Sequence, residues 1–239
     1  AVLEIEELYP GYGLTIGNAL RRVMLSSLPG AAITSIKVKD ASHEFSTLPD
    51  IREDVVEIIL NLKQIRFKVY GDEPQNISLK VKGEREVSAK DIKTNSQVEI
   101  ANSDAHIATL TSKNASLEME IRVEKGLGYS TIESRKREKQ EIGTVAVDAI
   151  FTPIKMINFK VEDMRVGDKT NYNRLVFDIE TDGTMTPDEA LKNATDLLIE
   201  HFKIVTAPMK TSKDAEEKTD KKEEKIVKES DFKEEPGLD

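Results

Sequence analysis

The stretch that decides the fold is PGYGLTIGNALRRVMLSSLPG, residues 10–30. Turn-prone Pro and Gly stand at both of its ends, and between them apolar residues recur with the 3.6-residue period of an α-helix. The pattern predicts a helix over residues 15–28, preceded by a strand over residues 1–6. The apolar stripe that we expect to be buried consists of Ile16, Leu20, Val23, Met24 and Ser27, flanked by Ala19 and Leu28.

The opposite side of this helix carries one large apolar side chain. At 100° per residue, Leu25 falls almost opposite Ile16 and lies beside Arg22. A single exposed Leu is ordinary in a soluble protein. A Leu framed by Arg21 and Arg22, with Asn18 nearby, is also typical of a partner-binding surface, because interfaces enrich Arg around apolar anchors. Spacing alone leaves both interpretations open.

Two further segments have helical periodicity, residues 51–64 and residues 186–205. The second of these opens with Thr186-Pro187-Asp188-Glu189, a capping box with Pro at the first helical position. Both helices are apolar on more than one side. Such a helix is either deeply buried in its own domain or shared with another chain, and with only three helices in the fold the pattern favours an oligomer. The stripes are Ile51, Val55, Ile58 and Leu62, with Val56, Leu60 and Lys63 off them, and Leu191, Ala194, Leu198 and Phe202, widened by Ala190, Leu197 and Ile204.

The rest of the chain has mostly the alternating pattern of strands. Strands interleaved with few helices predict an α+β fold rather than a doubly wound α/β fold. The candidates are residues 31–39, 65–70, 77–81, 98–101, 106–110, 117–124, 144–150, 154–161 and 175–180.

Composition narrows the functional classes. Residues 206–239 contain 19 charged side chains among 34 residues and few apolar ones, so we expect a disordered tail or linker. The net charge is −9, of which this tail contributes −3, and an acidic body disfavours a general DNA-binding surface. The absence of Cys excludes thiolate metal sites, and no apolar run approaches membrane-spanning length.

Motifs for catalysis are weak. The glycines of residues 126–129 indicate a turn, and the basic cluster of Arg135, Lys136, Arg137 and Lys139 indicates a solvated loop more than a phosphate contact. The histidines at positions 43, 106 and 201 are too widely spaced for a metal motif. One enzymatic alternative stays open, a site built from His43, Asp54 and Asp148. A free-standing DNA-binding protein is a second alternative.

Several strings in order over some 200 residues resemble the alpha subunit of bacterial RNA polymerase. They are GYGLTIGNALRR (11–22), LSS (25–27), PG (29–30), HEFST (43–47), EDVVEIILNLK (53–63), GLGY (126–129), VDAIFTP (147–153) and TDGT (181–184). The resemblance implies a dimerisation domain, residues 1–29 plus 155–205, with an inserted β-rich domain over residues 30–154 and a flexible linker over residues 206–239. The family's first strand and its helical carboxy-terminal domain, which contacts promoter DNA, are expected to be missing here.

The resemblance also implies a function and its residues. The expected protein is a non-catalytic scaffold without cofactor or metal, which homodimerises in the bacterial cytoplasm, near the nucleoid, or in a plastid. One protomer mainly contacts the beta subunit and the other mainly the beta-prime subunit. Arg22 and Leu25 match positions implicated in beta binding, whereas Lys63, Val147 and Ile154 match positions implicated in beta-prime binding. For the dimer interface we expect Ile16, Leu20, Val23, Leu191 and Leu198.

Overall fold

The computed structural model describes residues 1–41, 43–135 and 143–206. The chain divides into two units, Ala1–Leu198 and Ile199–Asp239. Within the described residues it has three α-helices and antiparallel strands, which confirms the α+β prediction. No helix in this part of the chain has both the length and the apolar character needed to cross a membrane.

The helices lie where periodicity predicts them, but their ends differ. They are α1 (Tyr12–Ser26), α2 (Val55–Leu62) and α3 (Pro187–Thr206). Helix α1 begins three residues early because Gly11, at φ 84°, turns the chain into it. Helix α2 begins only at Val55, since Asp54 and Glu57 form a capping box there, so Ile51 is not helical and bridges Leu110 instead.

The strands lie on the predicted segments, but the last two are longer than predicted: the segment 154–161 becomes Ile154–Val166, and the segment 175–180 becomes Lys169–Thr181. The missed strands have two to four residues, too short for an alternating pattern to be recognised, and the 144–150 segment forms two strands. The strands are β1 (Val2–Leu8), β2 (Pro29–Val38), β3 (Phe67–Val69), β4 (Gln75–Lys82), β5 (Arg85–Ser88), β6 (Ile92–Lys93), β7 (Val98–Ile100), β8 (His106–Leu110), β9 (Ser116–Leu127), β10 (Tyr129–Ser130), β11 (Thr144–Ala146), β12 (Ala149–Ile150), β13 (Ile154–Val166) and β14 (Lys169–Thr181).

Two separate hydrophobic cores form in the first unit. One lies on the three-stranded sheet β1-β14-β13, where α1 packs across β13 and β14 and the first turns of α3 add Ala190 and Ala194. The other lies on a seven-stranded sheet of order β6-β4-β9-β2-β3-β7, with β11 also paired to β2 and with α2 packed against β8. The buried residues of the first core lie at positions 20–28 and 154–194, and those of the second core lie between them, at positions 33–147.

Two glycines allow α1 to approach its sheet closely. A Cβ at Gly17 would stand 2.6 Å from Cε2 of Phe159, and one at Gly13 would stand 2.7 Å from Cγ1 of Val161. Real Cβ atoms do not make contacts that short. Both positions therefore require glycine, which has no Cβ. Leu20 and Met24 continue the same buried face.

A side chain from β14 caps α1. The Oδ1 atom of Asn173 accepts hydrogen bonds from the backbone N–H groups of Gly11 (2.9 Å) and Gly13 (3.3 Å). Its Nδ2 donates to Asp163 (3.3 Å). The first turn of a helix leaves N–H groups without intrahelical acceptors. A residue about 160 positions later therefore satisfies two of them.

Candidate subunit-contact surfaces

The outer face of α1 presents Leu25 to solvent. Leu25 is 39% exposed and Arg22 is exposed beside it, whereas Met24, one position earlier, is fully buried. Leu14 lies on the same face, since eleven residues complete three helical turns, and it is also exposed. Sequence analysis missed Leu14 because it placed the start of the helix at Thr15. This α1 face, Leu14, Arg22 and Leu25, is apolar and basic.

Helix α2 has a second two-sided arrangement. Val55, Ile58 and Leu62 are buried in the core, while Leu60 is exposed, Val56 is half-buried, and Lys63 ends the helix half-buried. Among the described residues Lys63 makes no direct ion pair. The α2 face, Val56, Leu60 and Lys63, is therefore a second apolar and basic surface.

Asp148 stands near Lys63 in a hydrogen-bonded cluster. The backbone N–H of Ile132 donates to its Oδ1 (2.8 Å), and the Tyr129 hydroxyl donates to its Oδ2 (3.1 Å). The Ile132 hydrogen bond lowers the pKa of Asp148 most, burial opposes it, and the Tyr129 hydrogen bond and the charges of Lys63 and Arg135 lower it further. The same hydrogen bond raises the pKa of Tyr129, because the hydroxyl would have to lose the proton that it donates.

A groove connects these groups on one surface. Since the groove contains both Lys63 and Asp148, the end of α2 and the strand β12 belong to one surface. The groove is lined by Ala32, Ile33, Leu62, Lys63, Ile65, Arg66, Asp148, Ala149 and Ile150.

Two of the residues expected to contact a partner are buried inside the chain. Val147 is 4% exposed in the seven-stranded core, and Ile154 is 3% exposed in the three-stranded core. Ile154 is the first residue of β13, whereas Val147 lies between β11 and β12, where its N–H donates to the Thr34 carbonyl (2.9 Å). Neither side chain reaches the surface, so any effect of either on a partner has to pass through core packing.

The residues expected at a dimer interface also pack within the chain. Leu20 is 3% exposed, which makes it a core residue, while Ile16, Val23, Leu191 and Leu198 are half-buried against the same core. The exposed apolar residues lie further along α3. They are Ile199, Phe202, Ile204 and Val205, and Phe202 is 64% exposed although it was predicted to continue the buried stripe.

Each residue of the enzymatic alternative has another hydrogen-bond partner in the structure. His43 contacts the Ser46 hydroxyl, Asp54 caps α2, and the Asp148 carboxylate is occupied as described. In residues 1–41, 43–135 and 143–206 no three His, Asp or Glu residues group as metal ligands do. His106 instead lies 3.1 Å from Glu53, whose carboxylate also accepts from the Thr109 N–H (2.6 Å).

Arg135, the first residue of the basic cluster, is not solvated as predicted but binds backbone carbonyls. Arg135 donates through Nη1 to the Thr34 carbonyl (3.1 Å) and through Nη2 to the Val147 carbonyl, and its side chain is half-buried. Sequence analysis missed this role because Thr34 is 101 positions away. Lys136, Arg137 and Lys139 lie outside the described residues, as do positions 207–239 of the expected tail, whereas Thr206 is the last residue of α3.

The comparisons with known proteins agree on one family. Residues 35–152 match the family model described as "RNA polymerase Rpb3/RpoA insert domain". A protein of Symbiobacterium thermophilum is 50% identical over 200 residues, covering 84% of this chain and 63% of that relative. A Clostridium botulinum protein is 46% identical over 226 residues, covering 93% and 71%. One from Oceanobacillus iheyensis is 43% identical over 226 residues, covering 93% and 72%. All three are named DNA-directed RNA polymerase subunit alpha. The chain spans less than two thirds of the first of these relatives. The chain belongs to the family of DNA-directed RNA polymerase alpha subunits.

Proposed function

We propose that this chain is a non-catalytic scaffold of DNA-directed RNA polymerase, on which the beta and beta-prime subunits assemble in the cytoplasm. The observation that carries the proposal is the 46% identity to an alpha subunit over 226 residues. The exposed α1 face supports it, because interfaces enrich Arg and apolar anchors such as Arg22 and Leu25. The α2 face adds a second exposed apolar side chain, Leu60.

The chain acts as a homodimer in this proposal. Helix α3 presents Phe202, Ile204 and Val205 to solvent in its last two turns. Exposed apolar side chains at this density are unusual in a monomer. An obligate dimer buries on the order of 2,000 Å² or more. In this proposal the partner protomer also covers the half-buried Ile16, Val23, Leu191 and Leu198. Leu20 supports the interface from within the core.

The domain division belongs to the same proposal. Residues 1–29 and 155–205 form the dimerisation domain, residues 30–154 the inserted domain, and residues 206–239 the linker. Two separate cores support it, since one draws on residues from both sides of the other in sequence. The family match to an insert domain over residues 35–152 gives further support.

The two faces serve different partners in this proposal. The α1 face, with Arg22 and Leu25, contacts the beta subunit, and the α2 face, with Lys63, contacts the beta-prime subunit. Val147 and Ile154 act on the beta-prime contact through packing, because both are buried. In this proposal other parts of the enzyme contact DNA, because the first 205 residues carry a net negative charge.

Co-expression of the tagged chain with both large subunits tests the proposal. Leu25→Ala is expected to weaken the affinity for beta about thirtyfold, as for the loss of roughly 2 kcal/mol at an interface centre, and so to lower the beta-to-alpha ratio in the purified complex. Its melting temperature should stay unchanged, because truncating an exposed side chain usually shifts stability by under about 0.5 kcal/mol.

Lys63→Ala and Leu60→Ala serve as matched controls, since both alter an exposed helix face without touching α1. Lys63→Ala should keep beta and lose beta-prime, and Leu60→Ala should leave beta capture unchanged. If Leu25→Ala melts several degrees lower and still captures beta normally, Leu25 is a packing residue and its assignment to the contact is wrong.

A further inference from the structure

The chain passes between its two cores at two places. The first crossing runs from Leu28, in the first core, to Ile33, in the second, and the other crossing runs from Val147 back to Ile154. Phe151 lies in the middle of the second crossing and is 5% exposed, yet it belongs to neither core. Two compact bodies joined by short segments move relative to each other unless packing at the junction prevents it. The contacts of Phe151 therefore decide whether the two cores move as one body.

Phe151 fills a slot between two opposite glycines. Gly30 of β2 and Gly126 of β9 are direct partners across the strand pair, and we call these two residues the glycine slot. A Cβ at Gly126 would stand 2.5 Å from Cε2 and 2.7 Å from Cζ of the Phe151 ring, and one at Gly30 would overlap the Phe151 carbonyl oxygen. Neither glycine has a positive φ. Both are therefore required for the space they leave, as where another backbone approaches a strand closely.

The glycine slot brings the two crossings into contact. Gly30 belongs to the first crossing and Phe151 to the second, and the ring also lies against β9 at Gly126. Closely packed groups cannot shift past one another without opening a void or a clash. Neither crossing can therefore bend alone while the ring is in place.

Hydrogen bonds join the second crossing to elements of both cores. The Phe151 N–H donates to the Gly128 carbonyl (2.8 Å), just after β9 of the seven-stranded sheet. The Asp182 N–H, just after β14 of the three-stranded sheet, donates to the Pro153 carbonyl (2.9 Å). A Cβ at Gly128 would also stand 3.3 Å from the carbonyl oxygen of Ser26, the last residue of α1. Residues 151–153 thus contact both sheets at once.

From this geometry we propose that Phe151, seated in the glycine slot, holds the two cores as one rigid body. Phe151 is then a positioning residue, because it sets the distance between the α1 face and the α2 face without belonging to either. Emptying the slot should turn the two crossings into a hinge. Each core should keep its own packing, because neither contains Phe151.

The distance between two spin labels measures whether the cores move together. The chain contains no Cys, so labels attach only to introduced ones. Lys82→Cys on β4 and Asn158→Cys on β13 replace exposed residues, one on the sheet of each core. The labelled full chain is diluted with unlabelled chain, so that only distances within one chain are measured. The otherwise unsubstituted chain should give a single narrow distance distribution.

Substitutions on both sides of the contact should broaden this distribution. Phe151→Ala empties the slot, and Phe151→Leu should have a smaller effect because Leu fills part of it. Gly126→Ala should act from the other side, since its Cβ displaces the ring. Phe45→Ala, at a phenylalanine that is 73% exposed, is the matched control and should leave the distribution narrow.

Hydrogen exchange distinguishes a hinge from a general loss of stability. In Phe151→Ala the N–H groups of residues 151 and 182 should exchange faster, because their acceptors lie across the junction. The N–H groups of Ile121 and Ile179, one in each core, should keep their protection. Equal acceleration at all four positions would show that Phe151 only stabilises the fold, which would overturn the positioning role.

The double variant tests the glycine slot itself. Once Phe151→Ala has removed the ring, the Cβ of Gly126→Ala no longer meets it, so adding this second substitution should not broaden the distribution further. The same broadening by Gly126→Ala with and without the ring would show that Gly126 acts outside the slot.

The distance distributions also contain the results that would refute the inference. A broad distribution in the otherwise unsubstituted chain would show that the cores are not held together. Narrow distributions in Phe151→Ala and Gly126→Ala, with only a lower melting temperature, would make Phe151 a packing residue alone. If Phe151→Ala does not fold, Phe151→Leu and Gly126→Ala decide by the same measurement. The experiment needs neither large subunit, so its outcome does not depend on the proposed function.

Discussion

At the residue scale, several polar side chains that are removed from solvent bind partners far away in sequence. Glu53 shows this best, with a side chain only 13% exposed. Its carboxylate accepts from the Thr109 N–H (2.6 Å) and the Thr109 hydroxyl (2.9 Å), and His106 lies within hydrogen-bonding distance. Burial raises the pKa of Glu53, but these hydrogen bonds, that from the Thr109 N–H first, outweigh it and lower the pKa overall.

This shift predicts a pH-dependent stability. Because the pKa of Glu53 is lower in the folded state, its contribution is fully present above the unfolded pKa, about 4.3, and is lost as the pH falls through the folded pKa. Glu53→Gln should destabilise the chain by about 1–3 kcal/mol at pH 7, and the difference from the unsubstituted chain should shrink toward pH 3. Denaturant unfolding between these pH values measures it. Glu84→Gln, at an exposed position, is the control, and a difference independent of pH would contradict the assignment.

At the element scale, α1 is shaped by how closely it lies on its sheet. Gly13 and Gly17 remove the side chains that would hold the helix away, and Asn173 ties down its first turn. The position of the α1 face, with Leu25 and Arg22, depends on that approach.

Gly17→Ala weighs helix propensity against packing. Ala is intrinsically favoured over Gly inside a helix by about 1 kcal/mol. The new Cβ would meet the half-buried Phe159 ring at 2.6 Å and the buried Leu175 side chain at 3.1 Å, where overpacking costs about 1–3 kcal/mol. We expect the clash to outweigh propensity, so that the melting temperature falls. Asn18→Ala, at the exposed neighbouring position, controls for propensity alone and should be neutral or stabilising. A more stable Gly17→Ala variant would show that α1 can lift from the sheet freely.

At the scale of the whole molecule, the apolar side chains left exposed on the helices support the proposed homodimer. Sedimentation of the full chain at micromolar concentration should show a dimer. Phe202→Glu should shift it toward a folded monomer, because Phe202 is 64% exposed. Leu20→Glu should damage folding and dimerisation together, because burying an unpaired charge is costly. A compact monomer for the unsubstituted chain at this concentration would refute the dimer.

Local patterns in the sequence determined the helices, most strands and the capping box of α3. Periodicity and side-chain capping act over a few residues and are readable without a fold. The same holds for Leu25 and Lys63, which helix geometry placed off the buried stripes. An apolar pattern also indicates that Leu20, Val147 and Ile154 are buried. It does not indicate which surface covers them, and only the tertiary structure assigned them to the chain's own cores. The fold likewise decided the hydrogen bonds from the start of α1 to Asn173 and from Arg135 to Thr34. Hydrogen bonds across 100 or more positions exist only after distant segments meet.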